Sequence, residues 1–323
     1  MSDGKEVRTA LIADIGGTNV RFALSQAGGP ARQVKVLSCE NFPGPAAAAR
    51  AYLEEIGKTG PAAPNHGAFA VASPITGDRV KVTNHPWSFS IAAMRRSLGL
   101  TNLQVINDFT AIALSVPRLT AADRLKVGGG EAAPDAPIAV LGPGTGLGVS
   151  GLLPTNTGWT PLETEGGHVT MAAANDREQA VLAILRQSFG HISAERVISG
   201  PGLCNLYVAI CRLDGLDLAA EPIPDLVTER GLDGSCPIAA EALAMFSAML
   251  GTIAADLALS LGALGGVYVA GGIVPKLGEA FATSPFRRRF EDKGRFSGYL
   301  AAIPTFVITH ELPAFIGLSE ILE

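Results

Sequence analysis

The sequence predicts an α/β protein with two related units that face a shared cleft, and three observations lead to this prediction. Strand-like apolar runs alternate with helical segments along the chain, and 323 residues are enough for two buried cores. One pattern, an apolar strand that enters a glycine turn with a threonine, occurs twice, at residues 13–18 and 141–146. Such a repeat indicates two similar units.

In the first part of the chain, apolar runs bounded by glycine, proline or polar residues predict the elements. Helices are expected at residues 45–58, at residues up to 98 behind an N-cap at Ser90, and at residues 110–116. Strands are expected at residues 9–14, 20–24, 33–37, 67–72, 78–83 and 103–106.

The pattern restarts after a polar, glycine-rich stretch at residues 128–134, and a linker between units is expected just before it. The mixed-charge residues 287–293 indicate a solvated segment. Helices are expected at residues 177–189, 201–212, 237–261 and 314–322. Strands are expected at residues 138–141, 148–153, 267–269 and 305–308.

Composition and charge exclude several classes of protein. A net charge of −5 argues against nucleic acid or an anionic membrane as partner, and 47% hydrophobic residues argue against a disordered chain. The uncharged stretch 257–275 fits a buried helix and strand better than a membrane span. The polar residues 1–6 do not resemble a signal peptide, and the four cysteines form no C-x-x-C pair. A reducing cytoplasm is therefore the expected location.

Glycine turns at three places predict contacts with a phosphate chain. Backbone N–H groups can hold phosphates only where the chain approaches closely, which glycine permits. The first turn adds a carboxylate that can hold Mg²⁺ through water, and a threonine hydroxyl. An ordinary hairpin turn is the alternative for any single copy. The turns contain Asp14, Gly16, Gly17 and Thr18, then Gly144, Thr145 and Gly146, then Gly271 and Gly272.

Other nucleotide-binding motifs are absent or stand in the wrong context. The Walker pattern G-x-x-x-x-G-K-[ST] does not occur, and neither do the H-R-D and D-F-G motifs of protein kinases. Residues 146–151 match G-x-G-x-x-G, but they lead into a strand and not into a helix. A Rossmann dinucleotide site is therefore excluded.

A carboxylate, Asp108, follows the strand expected at residues 103–106, at the strand end where α/β folds place ligands. It could serve as a general base that takes a proton from a hydroxyl nucleophile. The alternative is that Asp108 only caps the helix expected from residue 110. The residues alone leave both interpretations open.

A second polar set surrounds a Gly-Gly turn at residues 166–167. Glu163, Glu165 and His168 combine hydrogen-bond acceptors and donors, which vicinal sugar hydroxyls require. Metal ligation is the competing interpretation, but no further cysteine or histidine lies at ligand spacing. Glu195 could simply complement a helix dipole and carries little signal by itself.

Eight motifs stand in a recognisable order: residues 13–19 (ADIGGTN), 83–87 (TNHPW), 106–109 (INDF), 144–148 (GTGLG), 165–168 (EGGH), 193–196 (SAER), 199–202 (SGPG) and 269–273 (VAGGI). This set resembles the bacterial glucokinases, which belong to the hexokinase and actin-like ATPase superfamily. The similarity runs nearly from end to end. The cysteine-rich zinc loop of the related ROK sugar kinases is not in the sequence, so the resemblance is to the non-ROK group and structural zinc is not expected.

The resemblance implies a two-lobed actin-like, ribonuclease H-like fold with a cleft between the lobes. Residues 1–118 with 305–323 would form a small domain, and residues 119–304 a large one. It also implies an ATP-dependent hexose kinase that transfers the γ-phosphoryl group of Mg·ATP to O6 of glucose. ATP and Mg²⁺ would be needed, and a homodimer is the family expectation.

The resemblance also implies roles for individual residues. Asp108 would be the catalytic base, and Asp14 would help to hold Mg²⁺. The sugar would be bound by Asn107, Asp108, Glu165, His168 and Glu195. The phosphate loops would be formed by Ala13, Asp14, Ile15, Gly16, Gly17 and Thr18 and by Gly144, Thr145 and Gly146. Gly271 and Gly272 would lie against adenosine.

Three alternative functions remain open at this point. The nearest is a kinase for another hexose, such as mannose, fructose or glucosamine. A nucleotide-gated binding protein of the actin or Hsp70 type would hydrolyse ATP slowly and without regard to glucose. A catalytically dead sugar sensor would bind glucose without turnover, but the intact Asp108 weighs against it.

Overall fold

The structure is a computed structural model that describes residues 9–218 and 220–322, so the polar residues 1–6 lie outside it. In chain order, the strands of this part are β1 (Ala10–Ile15), β2 (Asn19–Ser25), β3 (Arg32–Ser38), β4 (His66–Val71), β5 (Arg79–Lys81), β6 (Ser88–Ser90), β7 (Asn102–Asn107), β8 (Arg124–Gly128), β9 (Ile138–Pro143), β10 (Leu147–Thr155), β11 (Gly158–Glu163), β12 (Val267–Val269) and β13 (Thr305–Ile308).

Short 3-10 turns separate some of the α-helices. In chain order, the α-helices are α1 (Pro45–Glu55), α2 (Ile91–Ser97), α3 (Asp108–Ser115), α4 (Asp176–Arg186), α5 (Gly200–Leu213), α6 (Pro224–Leu232), α7 (Pro237–Leu261), α8 (Val274–Leu277), α9 (Glu279–Ala282), α10 (Phe286–Glu291), α11 (Ser297–Ala302) and α12 (Pro313–Glu320).

The chain divides into two units, Met1–Thr120 with His310–Glu323 and Ala121–Thr309. The second boundary lies after Thr309 and not at the expected 304/305. The reason is that β13 pairs with β12 and with β8, so this strand is part of the second sheet. The last helix, α12, packs against α3 in the first unit.

The two main sheets share one topology. The first has the order β3-β2-β1-β4-β7, and the second has the order β11-β10-β9-β12-β13-β8. In each, three antiparallel strands are followed by two strands parallel to the central one, β4 and β7 in the first and β12 and β13 in the second. The predicted internal duplication is therefore confirmed, and β8 is an additional edge strand of the second unit.

Most predicted elements are present within a few residues of their expected bounds. Helix α7 matches its prediction because Pro237 suits the first helical position and Gly262 ends the helix in the left-handed conformation, at φ +62°. The short elements β6, β8, β11, α6, α8, α9, α10 and α11 were not foreseen. Helix α3 begins at Asp108, two residues before the predicted start.

Helix α7 is the central helix of the second core. It is long and apolar enough to cross a membrane, yet 78% of its most apolar window is buried inside the protein. Its apolar side chains pack against α5, α6, α10 and the strand β9. This burial is that of a core helix. The sequence predicted the same for the uncharged stretch 257–275, which begins in this helix.

The charged residues 287–293 are not a solvated segment, so that prediction is wrong. Helix α10 buries Phe290 completely, and the Arg289 side chain is only 15% exposed. Nη2 of Arg289 donates to Oε1 of Glu178 at 2.6 Å, and the Glu178 side chain is 3% exposed. This ion pair joins α10 to α4, and neither segment has a sequence pattern that indicates it.

Candidate active site

The first glycine turn joins β1 to β2. The N–H of Gly16 donates to the carbonyl of Asn19 at 3.0 Å, which closes the turn. Cys39, which is buried, contacts this turn twice. Its N–H donates to the Thr18 carbonyl at 2.9 Å, and its thiol lies 3.6 Å from the Gly16 carbonyl oxygen. The turn is therefore held in shape from the inside, while the Thr18 side chain is exposed.

Asp14 lies on β1 directly opposite Arg21 on β2. Nη1 of Arg21 donates to its Oδ2 at 3.0 Å, and the Asp14 side chain is 21% exposed. Burial raises the pKa of Asp14, and the neighbouring guanidinium partly offsets this. Its neighbours Ala13 and Ile15 have fully buried side chains, so only their backbone can face a ligand.

A carboxylate beside a hydroxyl suits Mg²⁺, a hard cation that prefers oxygen ligands. Asp14 and Thr18 supply this donor set at one end of the turn. Among the described residues there is no group of three or more His, Cys, Asp or Glu side chains that could hold a metal. The residues thus fit a magnesium ion that takes most of its ligands from water and phosphate, as this ion usually does.

Asn107 and Asp108 divide two roles at the end of β7. Oδ1 of Asn107 accepts hydrogen bonds from the N–H groups of Phe109 at 2.8 Å and Thr110 at 3.2 Å, so Asn107 is the N-cap of α3. Asp108 is the first helical residue, half-buried, with Oδ1 accepting from the Phe109 N–H at 2.9 Å. Asn107 therefore holds the N-cap position, and Asp108 accepts from the same N–H within the first turn.

The register of the first sheet brings these two groups to the same edge. Ile15 lies beside Val71, and Val71 lies beside Asn107, on three parallel strands. Two strand spacings amount to about 10 Å. The glycine turn and Asp108 therefore stand on either side of the end of β4, a separation suited to two substrates held side by side.

The second glycine turn joins β9 to β10. The Gly144 N–H donates to the Gly146 carbonyl at 2.8 Å, and the Gly144 carbonyl accepts from the N–H of Gly200 at the start of α5, also at 2.8 Å. Oε2 of Glu195 accepts from the N–H of Leu147 at 2.8 Å. Glu195, half-buried, is thus attached to the end of this turn. The Thr145 side chain is exposed.

The third glycine pair follows β12 and lies against the second turn. Gly271 has φ +89°, and a Cβ at this position would come within 2.3 Å of the Pro143 carbonyl oxygen, so only glycine fits. A Cβ on Gly144 would lie 4.0 Å from the Gly272 nitrogen, and nothing stands within 4 Å of a Cβ on Gly272 itself. The two glycine turns form one open surface of backbone atoms.

Glu165 and His168 flank the Gly-Gly turn, and both side chains are more than half exposed. Oε2 of Glu165 and Nε2 of His168 are 4.0 Å apart, close enough for one hydroxyl oxygen to contact both. A Cβ on Gly167 would lie 2.0 Å from the Leu147 carbonyl oxygen, so this glycine lets the turn press against β10.

Leu147 connects the polar groups of the second unit. Its carbonyl lies under the Glu165–His168 turn, and its N–H is bound by Glu195. The two segments are also joined directly, since the Ala194 N–H donates to the Val169 carbonyl at 2.8 Å. The structure therefore places next to each other the two segments that carry Glu165, His168 and Glu195, the residues that the resemblance assigned to sugar binding in this unit. The Leu147–Glu195 bond was not foreseen, because it spans 48 residues.

Glycine turns on repeated α/β units, with a carboxylate at a strand end and exposed polar side chains around a Gly-Gly turn, are the arrangement expected of a sugar kinase. The model of the family described as glucokinase matches residues 11–323. The chain belongs to the glucokinase family.

Relatives and solved structures agree with this assignment. The chain is 58% identical to a glucokinase of Paramagnetospirillum magneticum, with 97% of each chain covered, and 53% identical to one of Aromatoleum aromaticum, with 97% and 94% covered. The crystal structure of a glucokinase from an Antarctic psychrotroph superposes with a TM-score of 0.86 at 34% identity, covering 98% and 99% of the two chains.

A more distant structure shows the same fold. It is a ROK family glucokinase from Streptomyces griseus in complex with glucose and AMPPNP, with a TM-score of 0.65 at 17% identity over 98% and 99% of the two chains. The two-unit sugar kinase fold is thus common to both groups.

Proposed function

We propose that the chain transfers the γ-phosphoryl group of Mg·ATP to O6 of glucose, which gives glucose 6-phosphate and ADP. The observation that carries this proposal is the edge of the first sheet. There the glycine turn and Asp108 lie two strands apart, while Asn107 and not Asp108 caps the helix. Membership of the glucokinase family supports glucose as the sugar and ATP as the donor.

Asp108 acts as the general base. The O6–phosphorus bond forms as the bond from phosphorus to the bridging oxygen of ADP breaks, and the O6 proton passes to the Asp108 carboxylate. A positioned base contributes about 10²–10⁴-fold to the rate. Asn107 already uses Oδ1 for the helix cap, so what it offers the sugar is an N–H of its side-chain amide.

Glu165, His168 and Glu195 bind the other hydroxyls of the sugar. The 4.0 Å gap between Glu165 and His168 accommodates one hydroxyl, which can donate to the carboxylate and exchange a hydrogen bond with the ring nitrogen. Glu195 binds the sugar while one of its oxygens holds the Leu147 N–H. Positioning of the substrates supplies much of the rate in such a reaction.

Backbone amides of the two glycine turns bind the phosphates. The N–H groups of Gly16 and Gly144 close their turns, so the amides of residues 17–18 and 145–146 would contact the phosphates, and Gly271 and Gly272 would lie against the adenosine. Magnesium bound to ATP neutralises negative charge on the phosphates. Asp14 would hold the ion through water, and Arg21 keeps the Asp14 carboxylate in place at 3.0 Å.

We place the two units in the actin-like, ribonuclease H-like class, with the cleft between lobes that this class has. The shared strand order of the two sheets supports this assignment. Closure of such a cleft on the sugar would exclude water, which is the competing nucleophile. We further propose a cytoplasmic homodimer, and light scattering of the purified protein would show its mass.

Initial rates with Mg·ATP and a panel of sugars test the proposed function. We expect glucose to give the highest kcat/KM and to yield ADP and glucose 6-phosphate in equal amounts. A panel of glucose, mannose, fructose and glucosamine, with a sample lacking sugar, covers the alternatives. Parallel arms with ADP or polyphosphate in place of ATP test the phosphoryl donor.

The outcomes separate the alternatives. A higher kcat/KM with another hexose would assign that sugar instead of glucose. Slow ATP hydrolysis that does not change with glucose would indicate a nucleotide-gated binding protein. Glucose binding without turnover would indicate a sensor.

A further inference from the structure

The segment 83–87, between β5 and β6, is one of the eight sequence motifs and has no part in the proposed function. Trp87 anchors it: the side chain is buried, and Nε1 donates to the Phe42 carbonyl at 3.0 Å. The Trp87 N–H donates to Nδ1 of His85 at 3.2 Å, and its carbonyl accepts from Val82 at 3.0 Å. The turn before Trp87 is therefore fixed in place.

Asn84 lies at the tip of this turn. Its φ of +61° lies in the left-handed region, which few non-glycine residues adopt, although asparagine tolerates it. Asn84 is exposed, and within residues 9–218 and 220–322 its carboxamide makes no hydrogen bond. The side-chain amide of Asn84 is therefore available to a ligand.

The turn lies directly against the first glycine turn. A Cβ placed on Gly17 would stand 3.2 Å from the Thr83 carbonyl oxygen and 3.6 Å from Cβ of Asn84. Behind it, the Thr83 N–H donates to the Ala72 carbonyl at 3.2 Å, just past the end of β4. Asn84 is thus placed beside the first glycine turn and near the end of β4.

The same strand end is hydrogen-bonded to Asn107, the residue that precedes the proposed base. The Ser73 carbonyl accepts from Nδ2 of Asn107 at 3.3 Å, and the Ser73 hydroxyl donates to the Lys81 carbonyl at 2.6 Å. Because β4 lies between β1 and β7, a phosphoryl group that moves from the turn at Gly17 to a hydroxyl at Asp108 must pass this strand end.

We propose that Asn84 contacts the substrate, with its side-chain N–H donating a hydrogen bond to an oxygen of the phosphoryl group during transfer. This inference rests on the proposed function. Asn84 neither gives nor takes a proton, so the balance of the reaction is unchanged. A neutral donor carried by a turn whose backbone is held in place stabilises charge on the oxygens it faces.

The variants Asn84→Asp and Asn84→Gly separate a contact role from a structural one. Aspartate has the same shape and also tolerates positive φ, but it replaces the donor by a negative charge. Glycine removes the side chain and relieves the strain. Asp135→Gly, at another exposed residue with positive φ (+51°), is the matched control in the second unit.

We expect both Asn84 variants to fold with a Tm close to wild type and to bind ADP as wild type does. Loss of one preorganised donor costs about 10²–10³-fold in kcat in well-studied sites, so Asn84→Gly should lower kcat by at least about tenfold and Asn84→Asp by more. KM for glucose should change little, and Asp135→Gly should leave the kinetics unchanged.

Two results would overturn the inference. One is an Asn84→Asp enzyme with kcat within about twofold of wild type, less than the loss of one net hydrogen bond would give. The other is an Asn84→Gly enzyme that is more impaired than Asn84→Asp, because this order indicates a role in the shape of the turn. If the wild type does not phosphorylate glucose, the proposed function fails, and that result is distinct from both.

Discussion

The two units have the same strand order, but the carboxylate beside the glycine turn comes from a different part of each unit. In the first unit, Asp14 is part of β1 itself, and its partner Arg21 stands opposite on the next strand. In the second unit, β9 carries no acidic residue. Glu195 comes from a segment 48 residues after Leu147 and binds the backbone at the end of the turn.

This difference shows how a repeated fold acquires distinct tasks in its two halves. A carboxylate on a strand next to a turn is well placed for the phosphates and their metal ion. A carboxylate that reaches the turn from a separate segment can touch a second ligand as well. Under the proposed function, the first turn would serve the nucleotide, and Glu195 would connect the second turn to the sugar.

The two cores differ as well. The second unit buries an ion pair, in which Glu178 accepts from both terminal nitrogens of Arg289, from the Ala174 N–H and from Asn175. The first unit instead has Thr110 Oγ1, the buried side-chain polar atom that lacks a partner among the described residues.

The largest expected effect on stability concerns that ion pair. Replacing Arg289 by Met leaves the Glu178 carboxylate buried without its cation. Breaking such a pair typically costs about 3–5 kcal/mol in the free energy of unfolding. Urea unfolding monitored by circular dichroism measures this change. Arg288→Met, on the exposed neighbouring residue, is the control and should be close to neutral.

The double variant Glu178→Gln with Arg289→Met should lose less than Arg289→Met alone, since it removes the uncompensated charge. A loss of under about 1 kcal/mol for Arg289→Met, the range of surface pairs, would contradict the assignment of this pair to the core.

Glu195→Gln gives the next largest effect and tests the link between nucleotide and sugar. The glutamine carbonyl can still accept the Leu147 N–H, so the turn should keep its shape while the charge toward the sugar is lost. A hydrogen bond to a charged group contributes about 1.5–3 kcal/mol, so kcat/KM for glucose should fall about 10–100-fold.

Glu195→Ala should raise KM for ATP as well, because it also releases the Leu147 N–H. Steady-state kinetics with each substrate varied in turn measures both parameters. Equal KM values for ATP in Glu195→Gln, Glu195→Ala and the wild type would show that the second turn does not depend on this carboxylate.

The smallest expected effect concerns Thr110. Valine has almost the same shape and lacks the buried hydroxyl, so Thr110→Val should raise the free energy of unfolding by up to about 1 kcal/mol. Thermal unfolding together with kcat measures it, and kcat should be unchanged because Asn107 still caps α3. Destabilisation by more than about 1 kcal/mol would indicate that the hydroxyl has a partner in solution.

Local patterns in the sequence predicted the elements that local forces determine. Helix α7 has a proline at its start and a left-handed glycine after its end, and both are visible in the sequence. The first glycine turn and Asp108 stand at strand ends, where α/β folds place ligands. These features could be predicted because each depends on residues that are close in the chain.

Features that depend on tertiary pairing could not be predicted in this way. The segment that contains Arg289 was predicted to be solvated, since the 111-residue separation from Glu178 hides the ion pair. The strand Thr305–Ile308 was recognised as a strand but expected in the small domain, whereas its pairing with β12 and β8 makes it part of the second sheet. That Asn107 caps α3 is evident only from the hydrogen bonds that its Oδ1 accepts.

The central claim is that Asp108 takes the proton from the sugar hydroxyl, and kcat of the Asp108→Ala enzyme with glucose and Mg·ATP tests it most directly. We expect a loss of about 10²–10⁴-fold, the contribution of a general base, with ATP still bound in an equilibrium titration. Activity within about tenfold of wild type would contradict the claim, because it lies below what such a base contributes.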